Sequence, residues 1–255
     1  MKTDDEDPLE RVPLSRTMTL WQRVLGHKIA SDDLLLAGLA AMASPNARHL
    51  LDLGTGKGTV ALLLAGILPE ARIVGVEAFA QSMDLARRNV SDNGLEARVE
   101  LRLGDLRDDL LFSGDEPFDL ITGAPPFMPL GSGPMPRDGQ RAAGRFELRG
   151  GIEAYAARAR GLLGDDGRFV FLMDGGGRVR AEHAMRQAGL GLDQVITISP
   201  RPGRPPTYVV LIGQRNQPGR SAGTEETVLT MREAEGEGWS PGYLKLRRSL
   251  DLPWL

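Results

Sequence analysis

The chain has no cysteine among its 255 residues, and its three histidines, His27, His49 and His183, lie far apart in the sequence. The lack of thiols excludes disulfides, thiolate catalysis and cysteine-ligated zinc. The scattered histidines give no indication of a metal cluster. We therefore expect no bound metal.

Long apolar runs are also missing, because no stretch approaches the roughly 20 residues that a membrane-spanning helix requires. The first seven residues carry four acids and no apolar signal-peptide core. We therefore expect a cytoplasmic protein with no membrane partner. Nothing in the sequence indicates an oligomeric state.

The composition, 41% hydrophobic and 25% charged, is typical of a globular protein that buries one core. Residues 1–17 are expected to form an acidic, disordered tail, and residues 18–255 a single domain. Within this domain we expect an N-terminal extension and helix at 18–45, a catalytic core at 46–213 and a C-terminal extension at 214–255.

Excess positive charge is absent too, since the net charge is −3. RNA binding would therefore have to come from local basic surfaces. One candidate is a set of arginines spaced every four residues, which on a helix would form a single stripe: Arg137, Arg141, Arg145 and Arg149. The other is the acid-free segment 194–224, which contains Arg201, Arg204, Arg215 and Arg220. Solvated arginines without a partner are the alternative interpretation of both sets.

Apolar segments of strand and helix length alternate along most of the chain. Strands are expected near 49–53, 72–77, 98–103, 118–122 and 168–173, and helices near 32–43, 58–67, 80–93 and 151–163. Such alternation is typical of a doubly wound α/β fold with a mostly parallel sheet. Two last strands, at 194–198 and 208–213, follow each other without a helix and predict an antiparallel hairpin. Residues 214–227 are expected to form a polar surface loop.

The most informative motif is the glycine loop Gly-Thr-Gly-Lys-Gly at 54–58, which joins an apolar strand to an apolar helix. Its spacing differs from the G-x-G-x-x-G of dinucleotide sites, and its lysine is not followed by the Ser or Thr of a P-loop. About 20 residues later, Glu77 ends the next strand, where an acid would lie beside a ribose. The alternatives are an ordinary glycine-rich turn and a solvated strand-end acid.

Together with residues 99–105, this pattern closely resembles the motifs of class I S-adenosylmethionine (SAM) methyltransferases. The resemblance implies a Rossmann-like, doubly wound sheet of seven strands, one of them antiparallel, and SAM as cofactor. Asp52 would orient the loop and the methionine ammonium group, Glu77 would bind both ribose hydroxyls, and Asp105 would accept the adenine amine. The cofactor-binding residues predicted in this way are Asp52, Gly54, Thr55, Gly56, Gly58, Glu77, Ala78, Asp105 and Leu106.

A second motif, Ala124, Pro125, Pro126 and Phe127, follows the fourth strand of the core. Ligands of open α/β sheets bind beyond such strand ends, so we expect these four residues to form the catalytic turn. The prolines hold the turn rigid, and Phe127 offers a flat face for a planar acceptor. The turn resembles the Asn-Pro-Pro-Tyr/Phe signature of methyltransferases that act on the adenine amine or the glutamine amide.

The resemblance narrows to one family because it continues outside the common core. Residues 20–37, 144–147 and 239–243 are similar to segments of the bacterial tRNA adenine-N6 methyltransferases that modify the purine next to the anticodon of valine tRNA. The similarity covers about residues 18–254. It implies tRNA or another RNA as partner, and it implies substrate contacts at Arg145, Glu147, Arg201 and Arg204.

The chain departs from that family at Ala124, where the family has an asparagine that accepts a hydrogen bond from the target amine. Losing such a contact costs about 1.5–3 kcal/mol, or roughly tenfold to a few hundredfold in rate. The backbone carbonyls of Gly123 and Ala124 remain as acceptors. Two other functions stay open: SAM-dependent methylation of a small metabolite or protein side chain, and a SAM- and RNA-binding module with weak catalysis.

Overall fold

The computed structural model describes residues 7–216 and 223–252. Its strands are β1 (Leu9–Pro13), β2 (Thr19–Arg23), β3 (His49–Leu53), β4 (Arg72–Glu77), β5 (Val99–Leu103), β6 (Phe118–Gly123), β7 (Leu163–Asp174), β8 (Leu190–Ser199), β9 (Tyr208–Arg215) and β10 (Glu225–Thr230). Its helices are α1 (Ser31–Ala43), α2 (Thr59–Ile67), α3 (Ala80–Asp92), α4 (Gly139–Arg145), α5 (Ile152–Leu162), α6 (Arg178–Gln187) and α7 (Pro241–Ser249).

Within the described residues the main sheet has eight strands in the order β10-β8-β9-β7-β6-β3-β4-β5. Only β9 runs antiparallel to both of its neighbours, β7 and β8. The strands that bear the predicted motifs, β3, β4, β5 and β6, are mutually parallel, so their carboxyl ends meet at one edge. The doubly wound, mostly parallel fold and the antiparallel hairpin of β8 and β9 are confirmed.

One strand more is present than the seven expected. Strand β10 lies in register beside β8, partly inside the segment 214–227 that was expected to be a polar loop. The strand starts with two acids and exposes Val228, so its sequence has no alternating apolar pattern that would predict a strand. It lies at the edge of the sheet and is paired through its backbone with β8. Residues 217–222 of that segment lie outside the described residues.

The N-terminal segment forms an antiparallel pair, β1 with β2. Strand β1 lies within 1–17, the segment that was expected to be a disordered tail; residues 1–6 lie outside the described residues. The pair is attached to α3 through Asn89, whose side-chain oxygen accepts from the Trp21 N–H at 2.6 Å and whose amide donates to the Trp21 carbonyl at 3.0 Å. This attachment places residues 27–33 above the carboxyl edge of the sheet.

Two apolar clusters cover the two faces of the sheet. On one face, α1 packs against α2 and α7, and its Leu35 and Leu36 are fully buried. On the other face, α5 and α6 pack over Phe169 and Phe171, whose rings stack with centroids 4.9 Å apart. None of the helices in 7–216 and 223–252 combines the length and the apolar character of a membrane span.

Candidate active site

A cavity of about 370 Å³ opens at the carboxyl ends of β3, β4, β5 and β6. The cavity brings together nearly all residues that the sequence predicts for the cofactor and the catalytic turn: Asp52, Gly54, Thr55, Gly56, Glu77, Ala78, Asp105, Leu106, Ala124, Pro125, Pro126 and Phe127. Gly58 is the exception, since it precedes α2 as its N-cap and does not line the cavity. The parallel strand order explains the convergence, because each motif directly follows one of these strands.

The glycine loop reverses the chain through left-handed backbone conformations. Gly56 has φ +58° and lines the cavity, and a Cβ built on it would stand in open space, with no neighbour within 4 Å. Gly58 has φ +86°, and its added Cβ would lie 3.6 Å from Ala86, in ordinary contact. Both positions favour glycine for their backbone, but of the two only Gly56 lines the cavity.

Glu77 connects the ends of β3 and β4. Its Oε2 accepts from the Gly56 N–H at 3.0 Å, and its Oε1 accepts from the Phe79 N–H at 2.6 Å. Burial raises the pKa of this carboxyl group, and the backbone N–H donors act in the opposite direction. Glu77 therefore lies in the cavity in a fixed orientation, with lone pairs left to accept hydrogen bonds from a ligand.

Asp52 lies beneath the glycine loop and is 2% exposed. Its Oδ2 accepts from the Thr55 hydroxyl at 2.6 Å and its Oδ1 from the Thr122 hydroxyl at 2.8 Å. Burial raises the pKa of Asp52 to about 6, although both hydroxyls favour the ionised form. The loop-orienting role expected for Asp52 has a direct basis in these bonds, and its contact with a methionine ammonium group stays a prediction.

Asp105 follows β5 and forms an ion pair with Arg107, whose Nη2 lies 2.7 Å from Oδ2. The Arg107 side chain lowers the pKa of Asp105, as does the Arg107 backbone N–H. Next to it, the carbonyl of buried Leu106 accepts from Arg158 Nε at 2.6 Å. Asp105 is thus held as an anion at the edge of the cavity.

The turn at 124–127, which the sequence predicts to be catalytic, follows β6 and is hydrogen-bonded through Met128 to the end of α4 and the segment after it. The Met128 N–H donates to the Arg145 carbonyl at 2.9 Å, and the Glu147 N–H donates to the Met128 carbonyl at 3.0 Å. The ring of Phe127 packs partly against both apolar clusters, with its centroid 6.4 Å from that of Tyr208. The rest of this partly buried ring faces the cavity.

The four residues predicted to contact substrate do not lie together. Arg145 is exposed and lines the cavity. Glu147 does not line it, because its side chain, 10% exposed, is paired with Arg180, whose Nη2 lies 3.0 Å from Oε2. Arg201 and Arg204 lie on the connection between β8 and β9, outside the cavity lining, and Arg201 Nη1 donates to the Glu233 carbonyl at 2.9 Å.

The arginine stripe expected over 137–149 is interrupted. Helix α4 contains only Arg141 and Arg145, while Arg137 and Arg149 lie on the flanking loops. The helix is short because Asp138 caps it through the Arg141 N–H at 2.8 Å and because Phe146 is extended. Arg149 nevertheless reaches the cavity, where its charge acts on Glu77 and Asp105.

Further residues line the cavity without having been expected there, among them His27, Asp32, Asp33, Lys57 and Gln140. Lys57 lies inside the glycine loop, so its position was available from the motif. The others come from the N-terminal segment and α4, and no local pattern indicates that these segments lie over the sheet edge. Among the described residues, no group of three or more histidines or acids is arranged to hold a metal ion.

Comparisons with known proteins agree with this geometry. Residues 30–132 match the family model of the methyltransferase small domain. The chain is 30% identical over 196 residues to a tRNA1(Val) (adenine(37)-N6)-methyltransferase of Phocaeicola vulgatus, covering 77% of this chain and 80% of the relative. It is 34% identical over 149 residues to the protein of that name in Porphyromonas gingivalis, and there it spans only 58% of the relative's length and 57% of its own.

The fold has solved counterparts as well. A structure from Agrobacterium tumefaciens, described as a predicted O-methyltransferase, aligns with a TM-score of 0.67 at 21% identity. The alignment covers 87% of this chain and 97% of that one, and it supports the Rossmann-like methyltransferase fold. The chain belongs to the tRNA1(Val) (adenine(37)-N6)-methyltransferase family of SAM-dependent methyltransferases, because its sequence is similar to a member of that family over most of both chains and its glycine loop and cavity agree with that similarity.

Proposed function

We propose that this protein transfers the methyl group of SAM to the exocyclic N6 amine of an adenine in tRNA. The observation that supports the proposal most strongly is that one cavity joins the glycine loop and Glu77 to the turn at 124–127. If the glycine loop and Glu77 hold the nucleoside part of SAM, the methyl group of SAM would be directed towards the turn at 124–127. The names of the relatives support adenine in tRNA as the acceptor.

The residues present suit SAM. Gly56 leaves a space that any Cβ would fill, and Glu77 is oriented by the Gly56 and Phe79 N–H groups to accept from two ribose hydroxyls. Asp105, held ionised by Arg107, is available as an acceptor for the adenine amine. When bound, SAM supplies a methyl group on an electrophilic sulfonium centre.

The turn at 124–127 would receive the target base. Pro125 and Pro126 restrict the backbone, so the ring of Phe127 keeps a constant orientation on which an extruded adenine can stack. Arg145 and Arg149 are exposed beside the opening, where guanidinium groups attract phosphates. Arg204 adds charge on a separate loop, for a more distant part of the RNA.

A second candidate function follows from Ala124. Alanine has no side-chain amide to accept a hydrogen bond from the adenine amine, as the family's asparagine does. Its side chain is also smaller than that of asparagine and leaves more room for an acceptor. A small metabolite or a protein side chain would then be the acceptor, with SAM bound in the same way. If Ala124 supports little catalysis on any acceptor, the protein would be a SAM- and RNA-binding module.

One experiment separates these functions. The protein is incubated with SAM labelled on its methyl group and with purified tRNA, rRNA, protein and metabolite fractions, and Gly56→Ala serves as the cofactor-binding control. We expect label in the tRNA fraction, and less label with the control variant at a SAM concentration that does not saturate it. Label in the protein or metabolite fraction would favour the second candidate. Cofactor binding without any labelled product would point to the weakly catalytic module.

A further inference from the structure

Lys57 is buried inside the glycine loop, at 5% relative exposure, and it lines the cavity. Among the described residues, its ammonium group has no hydrogen-bond acceptor within 3.5 Å and no ion-pair partner within 4.0 Å. Lysine is almost never buried to this extent without a partner, because the charged form is costly to desolvate. The position of Lys57 therefore indicates a ligand group rather than a protein partner.

The charges around the cavity identify that group. The cavity is lined by the carboxyl groups of Asp32, Asp33, Asp52, Glu77 and Asp105. These acids suit the sulfonium and ammonium groups of SAM, but they oppose its α-carboxylate, the anion of the molecule. Burying that anion without a cation would be costly.

Lys57 is the buried cation among the described residues that line the cavity, since Arg145 and Arg149 are exposed. Desolvation lowers the pKa of His27, and the charge of Lys57 lowers it further, so the neutral ring is favoured. A carboxylate placed between the glycine loop and the start of α1 would thus find one buried positive group.

We propose that Lys57 binds the α-carboxylate of the methionine moiety of SAM and makes cofactor affinity depend on that carboxylate. This inference rests on the proposed function, because it requires SAM in the cavity. Desolvation lowers the pKa of Lys57, and the charges of Asp33 and Asp32 oppose this change and favour the ammonium form. A bound carboxylate would act in the same direction as these two acids.

The proposal predicts selectivity among adenosine ligands that differ only at the amino-acid end. S-adenosylhomocysteine keeps both the carboxylate and the ammonium group, its decarboxylated analogue keeps the ammonium group alone, and 5′-methylthioadenosine has neither. Replacing Lys57 should therefore lower the affinity for S-adenosylhomocysteine and leave the affinities for the other two ligands almost unchanged.

The test is calorimetric titration of the full chain and its variants with these three ligands. We expect Lys57→Met to weaken S-adenosylhomocysteine by about tenfold to a hundredfold, the range for a lost charge-assisted hydrogen bond. The other two ligands should bind within about twofold of wild type. Lys245→Met, at an exposed lysine of α7, is the matched control and should leave all three affinities unchanged.

Equal weakening of all three ligands by Lys57→Met would overturn the proposal, because it would mean that Lys57 only supports the loop. Lys57→Gln gives a second neutral variant if the methionine variant does not fold, as judged by circular dichroism. Unchanged S-adenosylhomocysteine binding in either folded variant would also overturn it. If wild-type protein binds none of the three ligands, the proposed function itself fails, which is a distinguishable result.

Discussion

Alanine substitutions at Gly56 and Gly58 separate the backbone role of the glycine loop from its role towards the cofactor. Both residues have positive φ, +58° and +86°, so alanine is strained at either position. The added methyl group of Gly56→Ala would stand in open space at a residue that lines the cavity, whereas that of Gly58→Ala would meet Ala86 at an ordinary contact distance of 3.6 Å. The two variants therefore share the backbone penalty and differ in what the methyl group meets.

The left-handed conformation costs a non-glycine residue about 1–2 kcal/mol. For a domain of this size each kcal/mol lowers the unfolding temperature by about 2–4 °C, so both variants should unfold roughly 2–8 °C below wild type in the absence of ligand. In Gly56→Ala we expect the methyl group also to take space from a ligand bound in the cavity. Overpacking of this kind costs about 1–3 kcal/mol, which corresponds to roughly fivefold to 150-fold in affinity.

Differential scanning calorimetry without ligand and isothermal titration with S-adenosylhomocysteine measure the two effects separately. We expect similar losses of unfolding temperature, a weakened affinity in Gly56→Ala, and an affinity within about threefold of wild type in Gly58→Ala. Equal affinities in the two variants would refute the reasoning, because the open space at Gly56 would then have no part in binding.

Three further predictions follow from the site. Burial raises the pKa of Asp52 from 3.8 to about 6, so between these pH values the folded state binds a proton that the unfolded state does not. The free energy of unfolding should therefore fall as the pH rises from about 4 to 6. Urea titrations at several pH values should show a smaller fall for Asp52→Asn than for wild type. A slope unchanged by the substitution would contradict the assignment. Ala124→Asn should raise adenine-N6 methylation of tRNA by roughly tenfold or more, and Phe127→Ala should abolish most of it; adenine left unmethylated by Ala124→Asn would favour a different acceptor. Arg145→Glu and Arg204→Glu should weaken tRNA binding across sequences and flatten its salt dependence without changing SAM affinity, whereas unaltered binding in gel-shift titrations would make these arginines ordinary solvated residues.

The sequence predicts the central elements of the fold because their signals are local. An apolar strand, a glycine loop and an apolar helix follow directly on one another at β3 and α2, and the parallel order of the strands brings the motifs after them to one edge. Helix α4 is only seven residues long and contains two glycines, so no periodic pattern marks it. Strand β10 is an exposed edge, and its pairing with β8 gives no apolar alternation.

Some residues of the site can also be predicted from local signals, and others cannot. Glu77 and Asp105 could be placed because each ends or follows a strand, whereas Asp33 reaches the cavity only because the β1–β2 pair and α1 lie over the sheet edge. Glu147 shows the converse: it belongs to a segment similar to that of the family, yet its carboxylate is paired with Arg180 of α6 and does not line the cavity. Such pairings depend on tertiary packing, which one sequence does not reveal.

The most direct test of the central claim is mass spectrometry of the nucleosides released from tRNA after incubation with the protein and SAM. The tRNA is taken from a strain that lacks this gene, so that the acceptor position is unmodified. The proposed function predicts N6-methyladenosine that depends on both SAM and an intact Gly56. Methyl groups recovered only in protein or small molecules, with no methylated adenosine in the tRNA, would contradict it.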